Sequence, residues 1–126
     1  MFNVSKQIAY WINSAKLDLD TAELLIRESR YTHGLFFCHL VIEKALKAHV
    51  TKATGEVPPK THNLIYLLDL TGLEFDQHDE VFLGILMKYQ LEGRYPDFNP
   101  VIPSEEIVLE YLNKTKMLLI WIERKL

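Results

Sequence analysis

The sequence predicts an all-α fold, an up-and-down bundle of four main helices and one short helix. Apolar residues recur at three- and four-residue spacing in several long segments, which is the period of one helix face. Glycine and proline separate these segments, and no stretch makes a convincing strand. The 126 residues, 48% hydrophobic and 25% charged, are enough for one globular domain, so we predict a single domain over residues 1–126.

The segment from Thr32 to Lys52 is predicted to be the helix that the others surround. Residues 35–42 are apolar on nearly every side, interrupted only by His39, and a helix that is apolar all round must be covered all round. A buried strand is the alternative for this run, but its continuation through strong helix formers favours a helix. Charged residues appear from Glu43 onwards, so we expect the later turns to leave the core and carry positive charge.

The first helix is predicted to begin at a Ser5 cap and to end near Arg30. Its apolar residues recur from Ile8 to Ile26 on one face. Residues 31–34 are predicted to form a short turn in which Thr32 caps the central helix. Short turns between helices make antiparallel neighbours.

Caps and stops predict the remaining helices. Gly55 and the two prolines that follow it end the central helix. Three prolines between residues 96 and 103 predict a non-helical loop before the last helix. The predicted helices are a short one from a Thr61 cap to Gly72 with Leu64, Leu67 and Leu68 inward, one from an Asp76 cap to Gly93 with Val81, Phe82, Ile85, Leu86 and Tyr89 inward, and a last one from a Ser104 cap with Ile107, Tyr111, Leu112, Leu118, Trp121 and Ile122 inward.

Composition excludes several classes of function. The net charge of −3 argues against broad, non-specific binding to nucleic acid or membranes, so neither DNA nor a membrane is an expected partner. The single cysteine, Cys38, has no partner for an internal disulfide and lies in an apolar run, where it reads as a buried small hydrophobe. There is no apolar run near the ~18 residues of a membrane span and no signal-peptide layout, so we predict a cytoplasmic protein.

No familiar catalytic or metal-binding motif occurs. The sequence has no glycine-rich phosphate loop, no His-Glu-x-x-His and no paired cysteines. His39 and His49 are ten residues apart on one helix, or about 15 Å, which is too far to share a metal. We therefore predict no metal, no cofactor and no catalytic residue.

Two places are candidates for binding. Between residues 44 and 62 the chain carries Lys44, Lys47, Lys52 and Lys60 but only one acid, Glu56. This local basic excess, together with His49 and His62, could meet phosphate. The alternative is a solvated helix face on which Glu43 and Lys47 form a weak ion pair.

Arg94 and Tyr95 are the second place. They follow a glycine and precede a proline, so the loop that holds them is constrained. Arginine can grip phosphate with two N–H groups, and tyrosine can stack on a base. The alternative is that Arg94 ties the loop to helix ends and that Tyr95 packs.

Three blocks in order give the chain a resemblance to the HEPN domain family. They read FFCHLVIEKALKAH over residues 36–49, PPKTHNLIYLL over 58–68 and RYPDF over 94–98, preceded by a matching first helix from Trp11 to Leu25. The resemblance covers essentially the whole chain. It implies an all-α bundle, a homodimer, and a partner that is a minimal nucleotidyltransferase, in a toxin–antitoxin setting. It also implies a groove for a nucleotide, or for a nucleotide-bearing surface of the partner, lined by Lys44, Lys47, His62, Arg94 and Tyr95.

Many family members are ribonucleases that carry an arginine, four to six residues and a histidine near the start of a late helix. This chain departs from that pattern because no histidine follows His78, and the spacing of Arg27 and His33 falls at the end of the first helix. We therefore expect a non-catalytic interaction module. The alternative is a metal-independent ribonuclease that uses Arg94 with another base such as His62.

Overall fold

The structure is a computed structural model that describes residues 2–92, 94 and 100–126. Its described residues form five α-helices and no strand, which confirms the predicted fold class. Helix α2 packs against each of the other four helices, as expected of the central element. The helices are α1 (Val4–Arg27), α2 (Tyr31–Thr54), α3 (Leu64–Thr71), α4 (Gln77–Met87) and α5 (Glu105–Arg124).

Helix α1 begins earlier than predicted. Asn3 is its N-cap, and the Asn3 side chain accepts a hydrogen bond of 3.0 Å from the backbone N–H of Lys6, so the predicted Ser5 cap is wrong. The helix ends at Arg27 because the chain turns at Ser29, whose φ is 62°. Its predicted apolar face is confirmed by four buried residues, Ile12, Ala15, Ala22 and Ile26.

The turn into α2 also differs from the prediction. Helix α2 starts at Tyr31 with Arg30 as its N-cap, so the expected turn over 31–34 and the Thr32 cap are wrong. Gly34 is buried in the first turn of α2, where a Cβ atom would lie 2.5 Å from Cγ1 of Ile26. This glycine therefore permits close packing of α1 on α2 and does not make a turn.

The second half of α2 stays in the core. Glu43 and Lys47 are only 3% and 7% exposed, and residues 41–51 are all buried apart from the half-buried Lys44. The expectation that these turns leave the core is therefore wrong. These turns contact α1 through Lys44 and Asp18 and α5 through His49 and Ile122, so charged residues lie enclosed between helices. The helix ends at Gly55 in the left-handed conformation, with φ of 71°, as predicted.

The later helices follow their predicted caps with one exception. Asp76 and Ser104 cap α4 and α5, and Gly72 ends α3 with φ of 76°. The cap of α3 is Asn63, whose side chain accepts from the N–H of Tyr66, so the predicted Thr61 cap is wrong. Thr61 instead accepts a hydrogen bond from the N–H of Asn63 and supports the true cap.

Helix α4 is shorter than predicted and its inward face is rotated. It ends at Met87 and not at Gly93, because the next three N–H groups bond to carbonyls three residues back. The buried Tyr89 donates a 2.9 Å hydrogen bond to the carbonyl of Val101, across the loop to α5. Val81 was expected to point inward from α4 but is 57% exposed. Ile107 of α5, also expected to point inward, is 39% exposed.

Candidate functional site

The buried face of α2 carries a row of three polar side chains at four-residue spacing. His39, Glu43 and Lys47 are 0%, 3% and 7% exposed. Residues four apart lie one above the other on a helix, so the row runs along one line of α2. Polar groups this deep cost free energy unless each finds a partner, so the contacts of the row decide what it does.

Glu43 is the shared acceptor of the row. Its Oε1 accepts from Nδ1 of His62 at 2.8 Å, and its Oε2 accepts from Nζ of Lys47 at 3.1 Å. The Lys47 ammonium also lies 5.3 Å from the centre of the Trp11 ring, within range of a cation–π contact. Each oxygen of the carboxylate therefore accepts a hydrogen bond inside the bundle, one from α2 and one from the loop before α3.

His62 carries the network from the core to the surface. Its Nδ1 faces the buried Glu43, while its Nε2 lies 3.0 Å from Oε2 of Glu92. The imidazole is 41% exposed and the Glu92 side chain 60%. Only an imidazole with two N–H groups can donate to both carboxylates. His62 therefore lies between one fixed carboxylate and one exposed to solvent.

His39 holds the backbone at the same point. Its Nε2–H donates a 3.0 Å hydrogen bond to the carbonyl of His62, and its Nδ1 lies 3.7 Å from Oε1 of Glu43 without a hydrogen bond. Burial lowers the pKa of His39, and the nearby Glu43 carboxylate opposes that effect only in part. One face of α2 therefore fixes both the backbone and the ring of His62.

Arg94 lies two residues beyond Glu92, at the outer edge of this network. It is exposed, and its Nε donates a 2.9 Å hydrogen bond to the carbonyl of Gln90. Gln90 is buried and its side chain accepts from the N–H of Glu92, so the same turn positions both Glu92 and Arg94. Tyr95, the other predicted site residue of this loop, lies outside the described residues.

The remaining predicted site residue, Lys44, is held elsewhere. Its Nζ lies 2.7 Å from Oδ2 of Asp18 and donates to Oγ of Ser14 at 2.8 Å, both on α1. Lys52 donates to the carbonyls of Lys125 and Leu126 at the end of the chain. The structure therefore brings Lys47 and His62 together on Glu43 and places Glu92 of the Arg94 loop against His62, but it does not gather the lysines into one patch.

The other candidate groups are packed away from this network. Burial raises the pKa of the Cys38 thiol to about 12, so it is not a nucleophile near neutral pH. His49 donates from Nε2 to the carbonyl of Ile122 at 2.7 Å and joins α2 to α5. Within residues 2–92, 94 and 100–126, no group of three or more His, Cys, Asp or Glu side chains could hold a metal ion.

A separate groove of about 410 Å³ lies on α5, with Asp79 of α4 at its edge. Lys44, Lys47, His62 and Arg94, the predicted site residues that the structure describes, do not line it, whereas the apolar side chains of Met117 and Trp121 do. It is therefore distinct from the network on α2.

The arrangement around His62 has two chemical uses. A buried carboxylate that accepts a hydrogen bond from Nδ1 of an imidazole fixes the orientation of the ring and leaves Nε2 facing outward. The outer nitrogen can then bind an anion or transfer a proton. The Glu92 carboxylate contacts Nε2 of His62, so an incoming anion has to displace that carboxylate.

Sequence reasoning missed Glu43, His39 and Glu92 as members of the site. The spacing of His39, Glu43 and Lys47 was a usable signal, because a regular four-residue row of polar side chains in an apolar helix needs partners. Glu92 had no comparable signal. Its position depends on the turn after α4, which the sequence placed inside a longer helix.

Comparisons with known proteins agree with this fold. The crystal structure of TT1696 from Thermus thermophilus is 25% identical to this chain, with a TM-score of 0.77, over 95% of this chain and 98% of that one. A search of curated proteins found no match. No helix among the described residues is both long enough and apolar enough to cross a membrane. The family model of the HEPN domain matches residues 8–125, nearly the full length, and the chain therefore belongs to the HEPN family.

Proposed function

We propose that this chain is a non-catalytic HEPN interaction module in the cytoplasm. It forms a homodimer and binds a minimal nucleotidyltransferase, in a toxin–antitoxin pair, with the surface around His62 and Arg94 turned toward a nucleotide. Membership of the family supports the general role. The absence of a histidine after Arg94 in the sequence supports a role without catalysis.

The observation that carries this proposal is the double engagement of His62. Its two ring nitrogens lie 2.8 Å and 3.0 Å from carboxylate oxygens of Glu43 and Glu92. A general base needs a free nitrogen within reach of the proton that it removes. A ring held on both sides suits recognition, because a phosphate oxygen can take the place of the exposed Glu92 carboxylate and meet Arg94 on the same turn.

Thermal unfolding with added nucleotide tests the ligand. The full chain and Arg94→Ala are unfolded with ATP, GTP and the two monophosphates. A nucleotide that binds only the folded state stabilises it by about 2.7 kcal/mol at a hundredfold excess over its dissociation constant. We expect a shift in the wild type that Arg94→Ala loses and that Arg27→Ala, an exposed arginine of α1, keeps. Equal shifts in all three proteins contradict the site.

Affinity purification tests the partner. A tagged full-length chain is recovered from the native cytosol and the bound proteins are identified by mass. We expect a minimal nucleotidyltransferase, with recovery reduced by Arg94→Ala. Recovery of the tagged chain with no nucleotidyltransferase contradicts this part of the proposal, whatever the nucleotide result.

A second function, metal-independent cleavage of RNA, is favoured by one specific observation. The buried Glu43 orients His62 as a carboxylate orients the base of a catalytic pair, with the outer nitrogen toward the turn that holds Arg94. Incubation of the full chain with total RNA and a chelator tests it. Cleavage that is lost in His62→Gln and Arg94→Ala but kept in His78→Gln, an exposed histidine of α4, establishes the enzyme. RNA that stays intact contradicts the ribonuclease and leaves the non-catalytic interaction module as the proposed function.

A further inference from the structure

The outer face of α1 carries an apolar stripe that none of the other described segments of the chain covers. Tyr10, Leu17 and Leu24 are 60%, 68% and 51% exposed. They are seven residues apart, and a seven-residue step drifts by only about 20° around a helix, so the three side chains lie nearly in line. The buried residues of α1 occupy the opposite side of the helix. A heptad spacing of this kind is the pattern of a seam between two helices.

The stripe ends in two opposite charges. Lys6 lies four residues before Tyr10, and Glu28 lies four residues after Leu24, at the C-cap of the helix. Lys16 and Glu23 of α1 are instead paired with Glu123 and Lys116 of α5. Within the described part of the chain, Lys6 and Glu28 form no ion pair.

The order of these residues is self-complementary about Leu17. Tyr10 and Leu24 lie seven residues on either side of it, and Lys6 and Glu28 lie eleven residues on either side. An antiparallel pair of α1 helices related by a two-fold axis at Leu17 therefore sets Tyr10 against Leu24 of the second copy, and Lys6 against Glu28 of the second copy. A two-fold interface requires this kind of reciprocal match.

We propose that two copies of this chain pair through the outer face of α1, antiparallel and centred on Leu17. The inference rests on the homodimer of the proposed function and names its surface. Each copy supplies the same apolar stripe, and the two end charges form two equivalent ion pairs. The reciprocal match of the charged and apolar positions about Leu17 favours a second copy, and not an unrelated protein, as the occupant.

The residues beside the stripe permit a close approach. Ser14 and Thr21 lie along one edge and have short side chains. Asn13 and Asp20 lie along the other edge, where the two-fold pairing brings Asp20 of one copy near Asn13 of the second copy. Like charges are therefore not brought together beside Leu17.

Sedimentation of the purified full chain tests the surface. Concentrations from about 5 to about 500 µM are needed, because an interface made by one helix from each copy is at the small end of the range. We expect a wild-type dimer, and a monomer for Leu17→Asp. Leu17 is exposed, so Leu17→Asp keeps the helical circular dichroism of the wild type. Val81→Asp, at a residue 57% exposed on α4, is the matched control and remains a dimer.

Charge reversal tests the register. Lys6→Glu and Glu28→Lys each place like charges together twice in the dimer, and we expect each to raise the dissociation constant about threefold to tenfold. The double variant restores opposite charges and returns the dissociation constant to near the wild-type value. Two single variants without effect, or a double variant that is no better than either, overturn the pairing.

The outcomes separate this inference from the proposed function. A wild-type dimer that Leu17→Asp and the charge reversals leave intact overturns the α1 surface and leaves the homodimer standing. A wild-type monomer at every concentration overturns both the surface and the homodimer. Recovery of the nucleotidyltransferase is measured separately, so the partner part of the function is decided on its own.

Discussion

Lys44 and Lys47 lie three residues apart on α2, but they form ion pairs with carboxylates in different surroundings. Lys44 leaves its helix to contact Asp18 and Ser14 on α1, and 22% of its side chain is exposed. Lys47 stays on the buried row beside Glu43, and 9% of its side chain is exposed. The first pair joins two helices near the surface. The second pair gives the buried Glu43 carboxylate an ion-pair partner in the core, so its loss should disturb the site around His62.

The largest effect is expected from Glu43→Ala. It removes the acceptor of both Lys47 and His62 and leaves a buried ammonium without a partner. Loss of one member of a buried ion pair costs about 3–5 kcal/mol of unfolding free energy. Urea unfolding at neutral pH measures it, with Asp18→Ala as the control, for which we expect a loss of about 1 kcal/mol. Equal losses of unfolding free energy in Glu43→Ala and Asp18→Ala would contradict the difference between the Lys47–Glu43 and Lys44–Asp18 pairs.

Removal of the whole buried pair is expected to cost less than the sum of the losses from removing each member alone. Lys47→Met alone leaves Glu43 with only His62 and should lower the unfolding free energy by about 2–3 kcal/mol. The double variant Glu43→Gln and Lys47→Met removes both charges, and its loss should be smaller than the sum of the losses of Glu43→Gln and Lys47→Met measured singly. Lys44→Met, the matched change at the surface pair, should cost no more than about 1 kcal/mol. Strict additivity in the urea midpoints would contradict the coupling.

The two buried histidines of α2 make the stability of the fold depend on pH. Burial lowers the pKa of His39 and of His49 below the usual histidine value of 6.5. As the pH falls below 6.5, His39 and His49 bind protons in the unfolded chain before they do so in the folded chain. Stability is therefore complete above pH 6.5 and falls toward the native pKa values, by about 1.4 kcal/mol per pH unit for each histidine.

Urea unfolding between pH 7.5 and pH 5 measures this slope. His39→Gln keeps an N–H donor for the carbonyl of His62 and should remove about half of the slope. Lys44→Met should leave the slope unchanged. A stability that does not vary across this range would mean that neither histidine is held neutral by burial.

The smallest effect on stability is expected from Glu92→Gln. The contact between Glu92 and His62 joins two exposed side chains, and such pairs contribute less than about 0.5 kcal/mol. The melting temperature should therefore hardly change. Binding of a phosphate-bearing nucleotide should strengthen, because the competing carboxylate is gone. Weaker nucleotide binding would show that Glu92 helps to hold the ligand and does not compete with it.

The sequence predicted the fold class and the central helix because these depend on hydrophobic period and on strong stops such as Gly55. It did not distinguish Lys44 from Lys47, since positions three residues apart on a helix both border the core, and only the neighbouring helices decide their partners. Asn3 and Ser5 are both good caps, so local preference could not rank them. Glu92 reaches His62 through a turn whose geometry no local pattern specified.

Cys38 gives this protein a built-in reporter of opening. It is the only cysteine in the chain, its side chain is inaccessible, and its pKa is raised to about 12. A thiol reagent can therefore react only when α2 separates from its neighbours. The labelling rate at low reagent concentration reports the equilibrium between closed and open forms, with no cysteine introduced by mutation. The same residue that contributes no chemistry to the site thus allows the opening of the helix beneath that site to be followed in each variant.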